Sequence, residues 1–306
     1  MNEEDVMRFD SRLAKKIDST DFIVTAEFLP RAGAGTKVIE ECAAALREGP
    51  VAVNVADNHL GVAMSSLAAS VALIRAGIEP VYQVVTRDRN RIALQSDLLG
   101  AASMGIKNVL CLAGYHQTLI GCPDSANVFD IDSIQLVATV TGMVEGGALM
   151  DGRKIEGPFS MLPGAAANPS LRPMELNTMR IRKKVRAGAK FIQTQTVFDV
   201  EDFKMWMDAL RAEGIEQKSA ILAGVMPLSG AAEARKLNET FTDFSIPAEV
   251  VSRLEAAGSE SAQRKEGLAI CAETIGRLKA LPGLRGIHIF SGGKESAVPE
   301  LISMAL

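Results

Sequence analysis

The chain has 306 residues, 47% of them hydrophobic and 23% charged, with a formal net charge of −4 and both signs of charge mixed along its length. That balance excludes nucleic acid as the main partner, because neutralising phosphates requires a concentrated basic surface. No apolar run reaches the length of a membrane span, and Cys42, Cys111, Cys122 and Cys271 are scattered without a CxxC pair, so neither a disulfide framework nor a metal site is expected.

Met1–Lys16 sets Val6, Phe9 and Leu13 at helical spacing and predicts an extra N-terminal helix. Its first ten residues are acidic and lack the apolar region of a secretory signal, so a cytoplasmic protein is expected. Strand Phe22–Glu27 comes next, then helix Lys37–Arg47, strand Val51–Val55, helix Met64–Ala76, strand Val81–Thr86 and helix Arg91–Met104. The pattern continues with strand Asn108–Leu112, helix Ser133–Glu145, strand Phe159–Leu162, helix Pro173–Ala187 and strand Phe191–Thr194. Helix Val200–Glu213, strand Ala220–Met226, helix Ala262–Lys279 and strand Gly286–Phe290 complete it. Each strand is short and largely apolar on both faces, as parallel strands covered on both sides must be. Gly77, Gly105 and Gly188 stand where helices end and strands follow, the usual place for a left-handed cap. Eight such strands over residues 1–306 predict one domain, a closed (β/α)8 barrel, in preference to an open doubly wound sheet.

In such a barrel, chemistry belongs at the C-terminal strand ends. Glu27 ends the first strand, Asp57 and Asn58 follow the second, and Gln83 lies in the third. Gly114, Tyr115 and His116 follow the fourth, Asn168 the fifth, Ser229 the seventh, and Ser291-Gly-Gly-Lys294 the eighth. A carboxyl at the end of an apolar strand is either a general acid, its pKa raised by desolvation, or one half of an ion pair, with Arg31 the nearest cation in sequence. Gln193 and Gln195 alternate with apolar and hydroxyl neighbours, so both face one side, either binding a heterocycle or forming a polar core layer. Arg87-Asp-Arg-Asn-Arg91 reads as a solvated helix start or an anion grip. Gly33-Ala-Gly35 lacks the third glycine of a dinucleotide fingerprint and reads as a plain loop. Ser291-Gly-Gly293 is either a phosphate cradle or an ordinary turn, and Phe203 and Trp206 share a helix face as packing residues.

Several blocks carry a resemblance. They are Thr25-Ala-Glu-Phe-Leu-Pro30, Thr86-Arg-Asp-Arg-Asn-Arg-Ile-Ala-Leu-Gln-Ser-Asp-Leu-Leu99, Gly105-Ile-Lys-Asn-Val-Leu-Cys-Leu-Ala-Gly114 and Thr194-Gln-Thr-Val-Phe-Asp-Val-Glu201. Their order and spacing resemble the methylenetetrahydrofolate reductases from about Phe22 to the C-terminus. Val128-Phe-Asp-Ile-Asp-Ser133, Gly164-Ala-Ala-Ala-Asn-Pro169 and Gly286-Ile-His-Ile289 add a likeness to the short reductase subunits of acetogens and related anaerobes. The resemblance implies hydride transfer through a flavin, FAD or FMN, between 5,10-methylenetetrahydrofolate and 5-methyltetrahydrofolate, with Glu27 as general acid. It implies folate contacts from Gln195, Tyr115, Glu233 and Lys294. It implies cofactor contacts from Ala56, Gln83, Ala113, Gly114, Tyr115, Phe129, Asp130, Ala166, Asn168, Arg172 and Lys184. The chain departs from the family at Tyr115, where an aspartate is usual, at Ala56 in place of a threonine, and at Gln83 in place of a histidine. Asn168 and Arg172 replace a tyrosine and a histidine, and Leu237 replaces the phenylalanine that stacks nicotinamide. A flavin-free folate enzyme and a non-catalytic folate-binding subunit therefore stay open as alternatives. As partners the resemblance implies a zinc-containing companion subunit or an electron-transfer protein, and exposed apolar helix faces would allow a homo-oligomer.

Overall fold

The computed structural model describes residues 9–19, 21–241 and 244–306. In chain order it contains α1 (Arg12–Asp18), β1 (Ile23–Phe28), α2 (Lys37–Leu46), β2 (Ala52–Val55), α3 (Ser66–Arg75), β3 (Pro80–Val85) and α4 (Arg91–Ser103). Next come β4 (Asn108–Leu112), α5 (Ser133–Gly146), β5 (Leu162–Ala167), α6 (Met174–Arg186), β6 (Phe191–Thr196) and α7 (Val200–Ala212). The remainder is β7 (Ala220–Val225), α8 (Ala231–Thr240), α9 (Ala248–Ala256), α10 (Glu260–Lys279), β8 (Leu284–Ile289) and α11 (Ala297–Ala305). The strands pair in parallel and in chain order, and β8 closes on β1, with Thr25 opposite His288. This is the expected (β/α)8 barrel.

Two apolar layers follow from strand alternation. Outward side chains such as Val53, Val84, Val109 and Ile221 pack under the helices together with Trp206 and Phe203, whose rings lie 5.5 Å apart. Inward side chains Ile23, Val81, Leu110, Leu162, Phe191 and Leu222 fill the lower barrel. Leu13 of α1 joins that inner cluster. The amides of Arg12 and Leu13 donate to Glu79, and Arg285 donates to the carbonyl of Ile17, so α1 is tied under the N-terminal strand ends. The predicted N-terminal helix is thus shorter and later in the chain, and Met1–Arg8, with Val6, lie outside the described residues.

One strand shifts appreciably from its expected place. β5 is Leu162–Ala167, not Phe159–Leu162. Its Pro-Gly-Ala-Ala-Ala composition gives no β-branched signal, and packing decides instead. A Cβ on Gly164 would stand 2.2 Å from the Phe191 ring, so only glycine fits beside that side chain in the barrel. Helices α8, α9 and α11 went unread because their apolar stripes are short and α8 and α9 follow β7 without an intervening strand. Gly77, Gly105 and Gly188 have φ of 80°, 86° and 113°, matching their cap role.

Candidate active site

At the C-terminal mouth of the barrel a cavity of about 240 Å³ opens between the strand ends. Inward positions alternate up each strand, so Glu27, Gln83, Val85, Gln193, Gln195 and Phe290 all reach it. Glu27 is only 5% exposed. Its Oε2 accepts the Gly292 amide at 3.4 Å, and among the described residues no cation pairs with it, Arg31 included. Burial, opposed by the Gly292 and Ser291 amides and reinforced by the charge of Glu295, pushes its carboxyl up to about 7. Of the two readings open in the sequence, the ion pair is not formed.

Neutral amides dominate the rest of the floor. Asn54 Nδ2 donates to Gln193 Oε1 at 2.8 Å, and Gln195 Nε2 donates to the Tyr115 hydroxyl at 3.3 Å. Tyr115 thus spans the cavity, and its ring meets His59 and Phe241 at the rim with centroids 5.9 Å and 6.0 Å away. Its carbonyl accepts from Arg87 at 3.1 Å.

That arginine resolves the charged run. Arg87 is buried and also bonds the Asn58 carbonyl and Asp88. Arg89 grips the buried Asp57 at 2.7 Å and Asp97 at 2.9 Å, while Arg91 pairs with Asp130 at 2.8 Å. Asp57 also accepts the Val85 amide, and Asn90 caps α4. The run is a set of internal latches joining the loops after β2, β3 and β4. Asp88, Asn90 and Arg91 stay exposed at the start of α4, as a solvated helix start would be, while Arg87 is buried and all three arginines are paired with carboxylates.

Ala113, Gly114 and Ala166 line the same cavity. Gly114 has φ of 86°, and a Cβ there would come within 3.2 Å of Val85 and Arg87, so the loop backbone lies bare against the cavity. Lys184 Nζ donates to the Ala166 carbonyl at 2.5 Å, and burial pulls its ammonium down to about 8. Other positions lie apart. Ala56 is buried and does not line the cavity. Phe129 and Asp130 sit on the outer loop, with Asp130 held by Arg91. Asn168 lines a neighbouring depression with Phe198 and Phe244, and Arg172 next to it pairs with Asp202. Glu233 and Lys294 pair with each other at the rim. Among the described residues no three His, Cys, Asp or Glu side chains are grouped to hold a metal ion, and no helix is long and apolar enough to cross a membrane. His59, Phe241 and Glu295 were not foreseen. Each comes from a loop whose local sequence carries no signal of the neighbours it meets.

A bare glycine backbone, three glutamine amides and one partly protonated carboxyl surround the cavity, suited to a flat heterocycle that must receive a proton. Fold and site together define a (β/α)8-barrel protein with a ligand cavity at its C-terminal face. The model of the methylenetetrahydrofolate reductase family matches residues 12–305, and the chain belongs to that family. A probable methylenetetrahydrofolate reductase (NADPH) of Caenorhabditis elegans is 25% identical over 243 residues, covering 78% of this chain and 34% of that protein. A 5,10-methylenetetrahydrofolate reductase of Salmonella typhimurium is 22% identical over 217 residues, covering 71% of this chain and 67% of that one. The chain therefore spans about a third of the nematode relative. Among solved structures, a Clostridium thermocellum protein described as binding two copies of 5-methyl-5,6,7,8-tetrahydrofolic acid superposes with a TM-score of 0.66. The match covers 95% of this chain and 96% of that one at 13% identity. A 2,3-dimethylmalate lyase superposes at 0.51 with 12% identity. These likenesses show the barrel fold.

Proposed function

We propose that this chain interconverts 5,10-methylenetetrahydrofolate and 5-methyltetrahydrofolate, with Glu27 as general acid. The observation that carries the reading is the buried Glu27 carboxyl, held near neutrality in a cavity otherwise lined by amides, on the frame of this family. In the reducing direction a hydride reaches the methylene carbon while the bond from that carbon to one ring nitrogen breaks. The electron pair stays on the nitrogen, and the Glu27 proton goes there. Gln195 and Gln193 present amides to a pterin edge, and Tyr115, held by Gln195 and Arg87, limits how deeply the ring enters. The Clostridium thermocellum protein's methyltetrahydrofolate supports a folate ligand for this barrel mouth.

A flavin fits the residues present. The bare Ala113-Gly114 backbone and the Gln83 amide would flank its ring. Lys184, whose ammonium donates to the Ala166 carbonyl, would take its phosphate. When bound, such a group supplies the hydride. A second reading, a folate enzyme without flavin, is favoured by the Tyr115 ring reaching across the cavity and by the missing hydroxyl at Ala56.

The test is an absorbance spectrum of purified protein with chromatography of released cofactor, followed by turnover of wild type and Glu27→Gln. FAD or FMN near one per chain supports the flavin, and a colourless protein that turns over supports the second reading. Wild-type turnover should fall as pH rises through about 7, where Glu27 loses its proton. Glu27→Gln should bind folate and turn over at least about a hundredfold more slowly. Full activity in that variant refutes the acid role.

A further inference from the structure

A second carboxyl shares the loop that holds Glu27. Glu295 is 5% exposed, as Glu27 is. Its Oε1 accepts the Leu29 amide at 3.4 Å, and its Oε2 accepts the Cys42 thiol hydrogen at 3.6 Å. Leu29 stands two residues beyond Glu27 on the same strand run. Gly292, in the same loop as Glu295, donates to Glu27. One five-residue loop, 291–295, therefore touches both groups. Among the described residues neither carboxyl has a cation, because Lys294 is committed to Glu233 and Arg87 to Asp88.

The two carboxyls differ in the hydrogens they receive. Glu295 has a donor on each oxygen, the Leu29 amide on one and the Cys42 thiol on the other. Among the described residues, Glu27 takes backbone hydrogens from the 291–292 turn and otherwise faces the cavity.

We propose that Glu295 is a positioning residue for the Glu27 acid: anchored to the Leu29 amide and the Cys42 thiol, it holds the 291–295 loop whose Gly292 amide fixes where the Glu27 carboxyl points. This rests on the reading of Glu27 as proton donor. The other charged or titratable groups that line the cavity with Glu27 are Asp57, His59, Arg87 and Tyr115, with Lys294 and Glu233 paired at the rim; Cys42 on α2, with Arg31 and Glu41 near it, faces Glu295. His288 lies below on β8 and is held neutral by burial. Arg87 and Asp57 are each matched by an opposite charge, and the neighbouring Glu295 carboxyl raises the Glu27 midpoint.

The experiment is an NMR titration of the full chain labelled with carbon-13 at the glutamate carboxyls. The Glu27 signal is assigned by its loss in Glu27→Gln. In Glu295→Gln its midpoint should fall by roughly half a unit to one unit, as expected for removing a like charge in a partly screened site. Glu295→Asp should restore most of the wild-type value. Where the amide variant does not fold, Glu295→Ala reads the same shift. The alkaline limb of the rate profile should move with the midpoint while the KM for folate stays put. An unmoved midpoint in a folded Glu295→Gln or Glu295→Ala overturns the proposal. A titration that shifts in a protein without turnover removes the proposed function and leaves the carboxyl pair standing.

Discussion

Replacing Glu27 by glutamine should make the protein more stable at alkaline pH, even as it removes the proposed acid. An unfolded chain ionises this carboxyl near 4.5, whereas the folded barrel delays ionisation to about 7. Between those values the folded state binds more protons than the unfolded state, so stability falls as pH rises through the window. Below it both states are protonated and the penalty vanishes. Above it the full difference applies, about 3 kcal/mol at pH 8, since each unit is worth about 1.4 kcal/mol. The uncharged glutamine escapes this penalty at every pH. Urea unfolding of wild type and Glu27→Gln at pH 4.5, 6, 7 and 8 measures the gap. The amide swap adds its own constant, so the reading is the slope: the difference should grow in favour of Glu27→Gln from under about 1 kcal/mol to about 3 kcal/mol, with little further change above pH 8. A flat difference across that range would mean that Glu27 is not held protonated by burial, and the case for it as an acid would fall with it.

The latch between loops should be costly to break. Asp57→Asn leaves the Arg89 guanidinium with Asp97 alone and weakens the acceptor for the Val85 amide, so unfolding should need about 3 kcal/mol less free energy, read by denaturant midpoint. Gly267→Ala would place a Cβ 1.8 Å from the Leu228 carbonyl, where α10 crosses the loop after β7. Melting should show a loss of about 2–4 kcal/mol or failure to fold, whereas Gly276→Ala, with open space around it, should stay within about 1 kcal/mol of wild type. Lys184 should titrate near 8, well below ordinary lysines, in spectra of reductively methylated protein, and the signal should vanish in Lys184→Met. If every lysine titrates above 10, its ammonium is not desolvated as described.

Much of this molecule was legible in its residues because parallel strands covered on both faces leave apolar runs that nothing else explains. Glu27 stood out for the same reason: a carboxyl ending such a run has nowhere to go except the barrel mouth. The alternation of Gln193 and Gln195 put both on the inner face, where they lie. β5 was misplaced because its residues are chosen for smallness against Phe191, and small residues carry no strand propensity. The arginine run was legible in part: Asp88, Asn90 and Arg91 stand exposed at the start of α4, whereas Arg87 is buried against carbonyls contributed by distant loops, which charge in sequence does not suggest. The His59–Tyr115–Phe241 rim and the Glu27–Glu295 pair are relations between loops. Ser-Gly-Gly-Lys-Glu reads locally as an exposed turn, and only closure of the barrel turns it inward.

That closure has a consequence for how the site comes into being. Glu27 and the amide that holds it are separated by 265 residues, and they meet only when β8 docks against β1. Contacts of such long sequence separation form late in folding, since a large loop must be ordered before they are gained. A partly folded barrel can therefore have most of its strands paired and its lower core filled while Glu27 stays hydrated and ionises like any free glutamate. The protonation of this one side chain is a gauge of whether the ring is shut.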